Sequence, residues 1–270
     1  MYRVVTNWSD TLIITVVGCG GTGGFVAEGL CRLLQGNPTK LMLIDHDRVE
    51  PHNLLRQPFY QGDVGKFKAE VLAERLARLY GREIGYAVVP YNSHIHSDIF
   101  SHYHEPGLVI GCVDNGAARA EIAALIRRPH WWIDAGNDHQ SGQVLIGNTD
   151  QRRVLEKCFL EQVQGCFALP LPSLQQPSLL AAMPPPPMDC AEAVEAGDQS
   201  PTINQVMATL VLEIVRRLLA GTLSWMAVYV DLEIGTLRPV LIEPKTVARM
   251  VDLQIRSLVD KKSREYETRY

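Results

Sequence analysis

The 270-residue sequence has no uninterrupted run of about 20 apolar residues, so no membrane span is expected from it. It has no C-x-x-C pair, so a zinc ribbon or thioredoxin-type site has no support. Its six cysteines are too few for the disulfide framework of a small secreted scaffold. It has no long basic run: 26 Lys and Arg are scattered among 30 Asp and Glu, giving a net charge of −4. A nucleic-acid surface is therefore not expected. MYRVVTNWSD, at the start, has neither the charged-then-apolar order of a secretory signal nor the Arg-rich amphipathicity of a transit peptide, and a cytoplasmic protein is the default reading.

What is present is an alternation of apolar runs and amphipathic stretches. TLIITVVG (11–18) is a β-branched run suited to a strand buried on both faces, and GTGGFVAEGLCRLLQG (21–36) then takes helical spacing. KLMLID (40–45), YAVVPYN (86–92) and GLVIGCVDN (107–115) read as further strands, with helices over 64–81 and 117–128 between or after them. WWIDAGN (131–137) and GQVLIGNT (142–149) add two more strands. WMAVYVDLEIG and LRPVLIEP form a last pair joined at Gly235. The pattern gives an α/β fold: a doubly wound, mainly parallel, Rossmann-like sheet with antiparallel strands at the C-terminal end. A ligand then sits beyond the carboxyl ends of the strands, at loops 18–24, 45–57 and 112–116. Residues 168–188 hold seven prolines in 21 positions and read as a long crossing loop. PTINQVMATLVLEIVRRLLAG (201–221) reads as a helix, and residues from about 245 to 270 as a helical tail. The chain is taken as one domain over 1–270 with the crossing loop inserted.

Gly18, Gly20 and Gly23 satisfy G-x-G-x-x-G between a strand and a helix, where backbone amides approach phosphate and the helix start favours an anion. Asp45 ends the second strand, where an acid accepts hydrogen bonds from ribose hydroxyls. These features alone fit NAD. The next stretch does not, because LIDHDRVEPHNLLRQPFYQGDVGKFKAE (43–70) supplies Asn53, Arg56, Gln57, Lys66 and Lys68. A dinucleotide needs no such cluster. A triphosphate attacked at its α-phosphorus must release pyrophosphate, and Arg56 and Lys68 suit that leaving group.

"GCGGTGG", "LIDHDRVEPHNLLRQ", "VGKFKAE" and "CVDN" follow one another as in the ThiF/MoeB/ubiquitin-activating superfamily. The sequence resembles it closely over about 12–150 and loosely over 195–235. Within it, "WWIDAGNDHQSGQVLIG" and "DCAEA" resemble the short ThiF proteins of PRTRC gene clusters. The resemblance implies an adenylation domain that uses ATP and Mg²⁺ to adenylate the C-terminal glycine of a small ubiquitin-like, β-grasp protein. It implies that Gly18, Gly20, Gly21 and Gly23 line the phosphates and that Asp45, with Asp47 beside it, holds the ribose. Asn53, Arg56 and Lys68 would contact phosphates, Gln57 would support that loop, and Asp114 would bind Mg²⁺. Asp114 or Asn115 also stands where a cap of helix 117–128 belongs. A homodimer and a conjugating-enzyme-like or JAB-type isopeptidase partner belong to the same implication. Two other readings stay open: a same-fold enzyme acting on a tRNA base or small molecule, and a non-catalytic half of a heterodimer.

The sequence departs from that family in three places. The R-Y-x-R-Q helix that carries an arginine into a dimer partner's site is missing, and Arg3 lies in the wrong context. The zinc-binding cysteine pairs are missing, so no structural zinc is expected. The crossing loop has no cysteine between 167 and 189; Cys190 just beyond it, or Cys158 or Cys166 before it, are the candidates for a thioester. Asp189 and Glu192 would raise rather than lower the Cys190 thiol pKa. Cys19, Cys31 and Cys112 read as small buried fillers. His94, His96, His102 and His104 form two H-x-H pairs and read as solvated or locally hydrogen-bonded rather than as a metal site.

Overall fold

The structure is a computed structural model that describes residues 1–6, 8, 12–100, 106–181 and 200–261. The main sheet has eight strands, numbered here in chain order: β1 Ile13–Val17, β2 Lys40–Ile44, β3 Ile84–Ala87, β4 Gly107–Gly111, β5 Trp131–Asn137, β6 Ser141–Gly147, β7 Trp225–Asp231 and β8 Thr236–Leu241. Their spatial order is β3-β2-β1-β4-β5-β6-β7-β8. The first five run parallel, and β6, β7 and β8 each pair antiparallel with the strand before them. The chain order reverses between β1 and β4, which opens a crevice at their carboxyl ends.

Among the described residues the six longer helices are α1 Gly21–Leu33, α2 Lys68–Tyr80, α3 Ser93–Ile99, α4 Gly116–Leu125, α5 Pro201–Leu219 and α6 Pro244–Val251. Strand alternation divides the core. Ile14, Val16, Leu41 and Leu43 face α1, α2 and α5, where Val26, Leu30, Leu72, Leu76 and Val211 complete one cluster. Ile13, Val17, Ile44 and Val109 point the other way, onto Tyr91, Phe100, Ile122 and Trp132. All five β1 residues are buried, as a strand covered on both faces requires.

Helix α5 lies directly on α1: a Cβ at Gly29 would stand 2.1 Å from Leu212 Cδ1. Ser200 caps α5 by accepting the Thr202 N–H at 3.2 Å. Four two-residue strands, Arg3–Val4, Gly165–Cys166, Phe159–Leu160 and Val259–Asp260, form a second small sheet. No helix among the described residues is long and apolar enough to cross a membrane.

Two expectations change. The third strand ends at Ala87 rather than Asn92, because Pro90 follows and Asn92 turns to cap α3 by accepting two backbone N–H groups. The helical tail is broken: α6 ends at Asp252, whose φ of 51° is left-handed, before one turn over Ile255–Leu258 and the strand Val259–Asp260. Residues 262–270 lie outside the described residues. The described part of the crossing loop, 168–181, keeps an irregular course and packs against the fold. Leu169, Leu171 and Leu179 are buried, and Pro172–Gln175 and Pro177–Leu180 form short helical turns. Residues 182–188 lie outside the described residues.

The tightest constraint is at the glycine turn. Gly18 has a φ of 87°, and a Cβ on Gly23 would lie 1.8 Å from the Gly18 carbonyl oxygen. Helix α1 can therefore dock on the end of β1 only with glycine at 23. Gly23→Ala is expected to lower stability by about 3 kcal/mol or more, a fall in melting temperature of roughly 6 °C or more. Gly62→Ala, which meets nothing within 4 Å, serves as the control. Equal melting temperatures for the two variants would refute this account of the turn.

Candidate active site

A cleft of about 1870 Å³ opens at the carboxyl ends of the parallel strands, over the point where the strand order reverses. Its floor is the turn between β1 and α1. Helix α1 begins at Gly21 behind Gly20, with no side chain capping its first amides. Those amides face the cleft with the positive end of the helix behind them.

Asp45, at the end of β2, is buried, and both of its carboxylate oxygens accept backbone N–H groups: Oδ2 from Cys19 at 2.6 Å and Oδ1 from Asp47 at 2.8 Å. It thus joins the glycine turn to the following loop while lining the cleft. Burial raises its pKa above the ordinary carboxylate value, while the two backbone hydrogen bonds and Lys68 pull the other way. Asp47 continues the chain of contacts. Its carbonyl oxygen accepts the Lys68 N–H at 2.9 Å, and its Oδ2 lies 3.0 Å from Lys68 Nζ. Lys68 opens α2 with a side chain only 10% exposed, so its ammonium is held in place rather than free in solvent.

A 3-10 turn, Pro51–Leu55, forms the next wall. Asn53 is buried in it and accepts the Glu50 N–H through Oδ1 at 3.0 Å. Arg56 follows at the end of this turn and lines the cleft. Gln57 is buried beneath the glycine turn, its amide 3.6 Å from where a Gly20 Cβ would stand. Its Oε1 has no hydrogen-bond partner among the described residues.

On the opposite wall, Asn115 is the cap of α4, accepting the Ala118 N–H at 2.8 Å. This leaves the neighbouring Asp114 carboxylate exposed at the cleft edge. Of the two residues weighed for that cap, Asn115 is the one used. Mg²⁺ takes one or two carboxylates together with phosphate oxygens and waters. An exposed carboxylate at the edge of this cleft suits that demand, and Asp114 is so placed.

The fold thus gathers Gly18, Gly20, Gly21, Asp45 and Asp47 with Asn53, Arg56, Gln57, Lys68 and Asp114 around one cleft. Gly23 does not line it; its missing Cβ serves the packing of α1 on Gly18. Cys190 lies outside the described residues. Cys158 and Cys166 are fully buried, with sulfurs 4.0 Å apart, and line no part of the cleft. Burial pushes the Cys158 thiol well above its ordinary pKa, and the same cause raises Cys19 and Cys112. Cys31 is pushed up to about 11, burial again being the largest cause. Cys112 lines the cleft and is less buried than the other described cysteines, against its reading as a filler. His96 packs in an aromatic cluster with Tyr91, Phe100 and His130, and burial lowers its pKa. His102 and His104 lie outside the described residues.

Two features of the cleft have no short sequence signal. Asn204, from the first turn of α5, is buried against the glycine turn. The Thr22 hydroxyl lies 3.2 Å from both Asn204 Oδ1 and Asn137 Oδ1, and Asn204 Nδ2 reaches the Arg56 carbonyl at 3.5 Å. The second feature is the pair Arg119–Asp134, Nε to Oδ1 at 3.1 Å, in which Asp134 is wholly buried. Helical spacing puts Arg119 one turn beyond Asn115, but only the sheet brings it to β5.

This arrangement defines a Rossmann-like α/β protein with a large polar cleft at the switch point of its sheet. The chain belongs to the ThiF family, whose sequence model matches residues 8–234. Members of this family are E1-like adenylyltransferases that use ATP. The chain is 32% identical over 152 residues to ubiquitin-like modifier-activating enzyme 5 of Dictyostelium discoideum, covering 49% of this chain and 38% of that protein. It is 35% identical over 118 residues to the tRNA threonylcarbamoyladenosine dehydratase of Haemophilus influenzae, covering 43% of each. The matches therefore span about two fifths of the length of these relatives. Among solved structures, E. coli MccB with ATP superposes with a TM-score of 0.56 at 16% identity, over 85% of this chain and 63% of that one. This last likeness is one of fold.

Burial pushes the Asp134 carboxyl up to about 6 from an ordinary 3.8, and Arg119 only partly offsets it. The folded state therefore holds this proton more tightly than the unfolded chain does. The stability Asp134 contributes is full below about pH 4, is lost as pH rises through about 6, and stays lost above. Denaturation of the parent chain and of Asp134→Asn across this range should show their difference falling by up to about 3 kcal/mol between about pH 4 and 6.5. A pH-independent difference would contradict the assignment.

Proposed function

We propose that the chain adenylates the C-terminal glycine carboxylate of a small ubiquitin-like protein, with ATP as co-substrate and pyrophosphate as the second product. One observation carries the reading: the open glycine turn, the cations Arg56 and Lys68, and the exposed Asp114 carboxylate share one cleft. A dinucleotide site has no need of that combination. The family and its members named for ubiquitin-like modifiers support the same reading.

The residues divide the work by position. The first amides of α1 receive the phosphates, and Gly18 and Gly20 let the nucleotide approach the backbone. Asp45 offers its remaining lone pairs to the ribose hydroxyls. Asn53 and Gln57 support the wall that carries Arg56. A carboxylate oxygen attacks the α-phosphorus, the bond from that phosphorus to the β-bridging oxygen breaks, and pyrophosphate leaves with the electron pair. Arg56 and Lys68 neutralise charge on the departing group; Lys68 is held by Asp47, so little reorganisation of its ammonium is needed during reaction. Magnesium at Asp114 would supply further neutralisation of the phosphate oxygens. The crossing loop, with its described part packed against α4 and β6, would border the groove for the incoming tail. Cys190 takes no part in this proposal.

The dehydratase relative gives a specific rival, adenylation directed at a tRNA base. The two are separated by ATP–pyrophosphate exchange. Exchange should appear with a β-grasp protein ending in glycine and be absent with tRNA. Asp114→Ala and Lys68→Ala should each reduce it by about a hundredfold. Exchange with RNA alone would establish the rival, and no exchange with any neighbouring β-grasp protein would sink the proposal.

A further inference from the structure

The cleft holds two polar side chains that the nucleotide reading does not use. Arg119, on α4, is nine-tenths buried and commits its Nε to Asp134. Gln143, on β6, is the cross-strand partner of Gly136 on β5. Both line the cleft. A Cβ placed on Gly136 would lie 2.8 Å from Arg119 Nη2 and 2.8 Å from Gln143 Nε2. Two N–H donors thus lie side by side against Gly136 on the cleft wall, and neither nitrogen has a hydrogen-bond partner among the described residues.

This spot is next to the nucleotide floor. Asn137, the following residue, faces the Thr22 hydroxyl at the start of α1. Arg119 is also on the helix whose preceding loop carries Asp114. We infer that Arg119 Nη2 and Gln143 Nε2, over Gly136, form the subsite for the terminal carboxylate of the acyl substrate. The inference rests on the adenylation reading and names the place where the attacking group is held.

Charge favours a carboxylate over a phosphate here. The Arg119 guanidinium stands beside the buried Asp134, so an ionised pair has no net charge to offer a polyphosphate. What it retains is direction: a fork whose Nε is fixed leaves Nη2 aimed at a defined point. A neutral amide alongside adds a second donor without adding charge. A singly charged, planar carboxylate with two oxygens matches two adjacent donors. The missing Cβ at 136 is what lets both donors lie against the strand side by side, since a side chain there would stand 2.8 Å from each nitrogen and displace them. Asp134 is then a positioning residue that holds the guanidinium.

The test uses the full chain saturated with α,β-methylene-ATP and a hexapeptide ending in Gly-Gly, with either a free carboxylate or a C-terminal amide. Calorimetry should show the carboxylate peptide binding about tenfold more tightly than the amide. Gln143→Ala and Arg119→Lys should each bring the carboxylate peptide to the level of the amide. The affinity for the nucleotide analogue, titrated separately, should stay within about twofold of the parent. Arg119→Lys keeps a cation beside Asp134, and Gln143→Ala leaves the ion pair untouched, so a folding defect in one would leave the other to decide.

Equal binding of the two peptides would overturn the inference, as would carboxylate-peptide binding that both variants leave unchanged. A parallel loss of nucleotide affinity would also overturn it, by placing these donors on phosphate. Absence of peptide binding by the parent chain would remove the subsite even if pyrophosphate exchange is observed. Absence of exchange while the carboxylate peptide still binds through Arg119 and Gln143 would instead remove the adenylation reading and leave the subsite standing.

Discussion

The two hydrogen bonds accepted by the Asp45 carboxylate hold the candidate site together. One reaches the Cys19 amide in the glycine turn, the other the Asp47 amide in the next loop. A buried carboxylate is costly unless its oxygens are satisfied. Here that requirement fixes two loops against each other. Through Asp47 the same constraint reaches Lys68, whose backbone and ammonium both bond to it. Floor, wall and cation are set by one group at the end of β2.

The second organising element comes from far along the chain. Helix α5 covers α1 and brings Asn204 to Thr22 and to the Arg56 carbonyl. The glycine turn and the loop that carries Arg56 are thereby tied to one side chain. Such mutual bracing suits a reaction in which the protein positions reactants and stabilises charge. The opposite wall has a different character: Arg119 is neutralised by Asp134, while Asp114 is exposed. The cleft therefore grades from a cationic side at Arg56 and Lys68 to a side of directed donors and one exposed carboxylate. On the proposed reading, an anionic nucleotide and a smaller carboxylate would be sorted between those two sides.

Much of this was legible in the sequence where the signal is local. The β-branched run before the glycines could only be a strand covered on both faces. G-x-G-x-x-G placed a turn and a helix start, and Asp45 stood at the right distance to face them. Gly23 reads in the sequence as a phosphate contact, but its role is to let α1 reach Gly18. Both roles demand glycine, so sequence alone could not separate them. The tail reads as one helix because its apolar spacing is helical. A left-handed Asp252 breaks it, and Leu258, fully buried, anchors the short turn beyond the break.

The sequence by itself determined the order of strands and helices, the glycine turn and the cluster of Asn53, Arg56, Gln57 and Lys68 that follows it. These depend on periodicity and on residue types within about 30 positions, where chain connectivity already limits the geometry. Tertiary structure alone decided that Asn204 supports the turn, that Asn115 caps α4 and leaves Asp114 open, that Cys158 and Cys166 are sealed away, and that Arg119 meets Asp134 and Gln143 over Gly136. The physical reason is that each depends on elements distant in sequence, or on which of two adjacent side chains points inward. Only the packing of the sheet and its helices settles either.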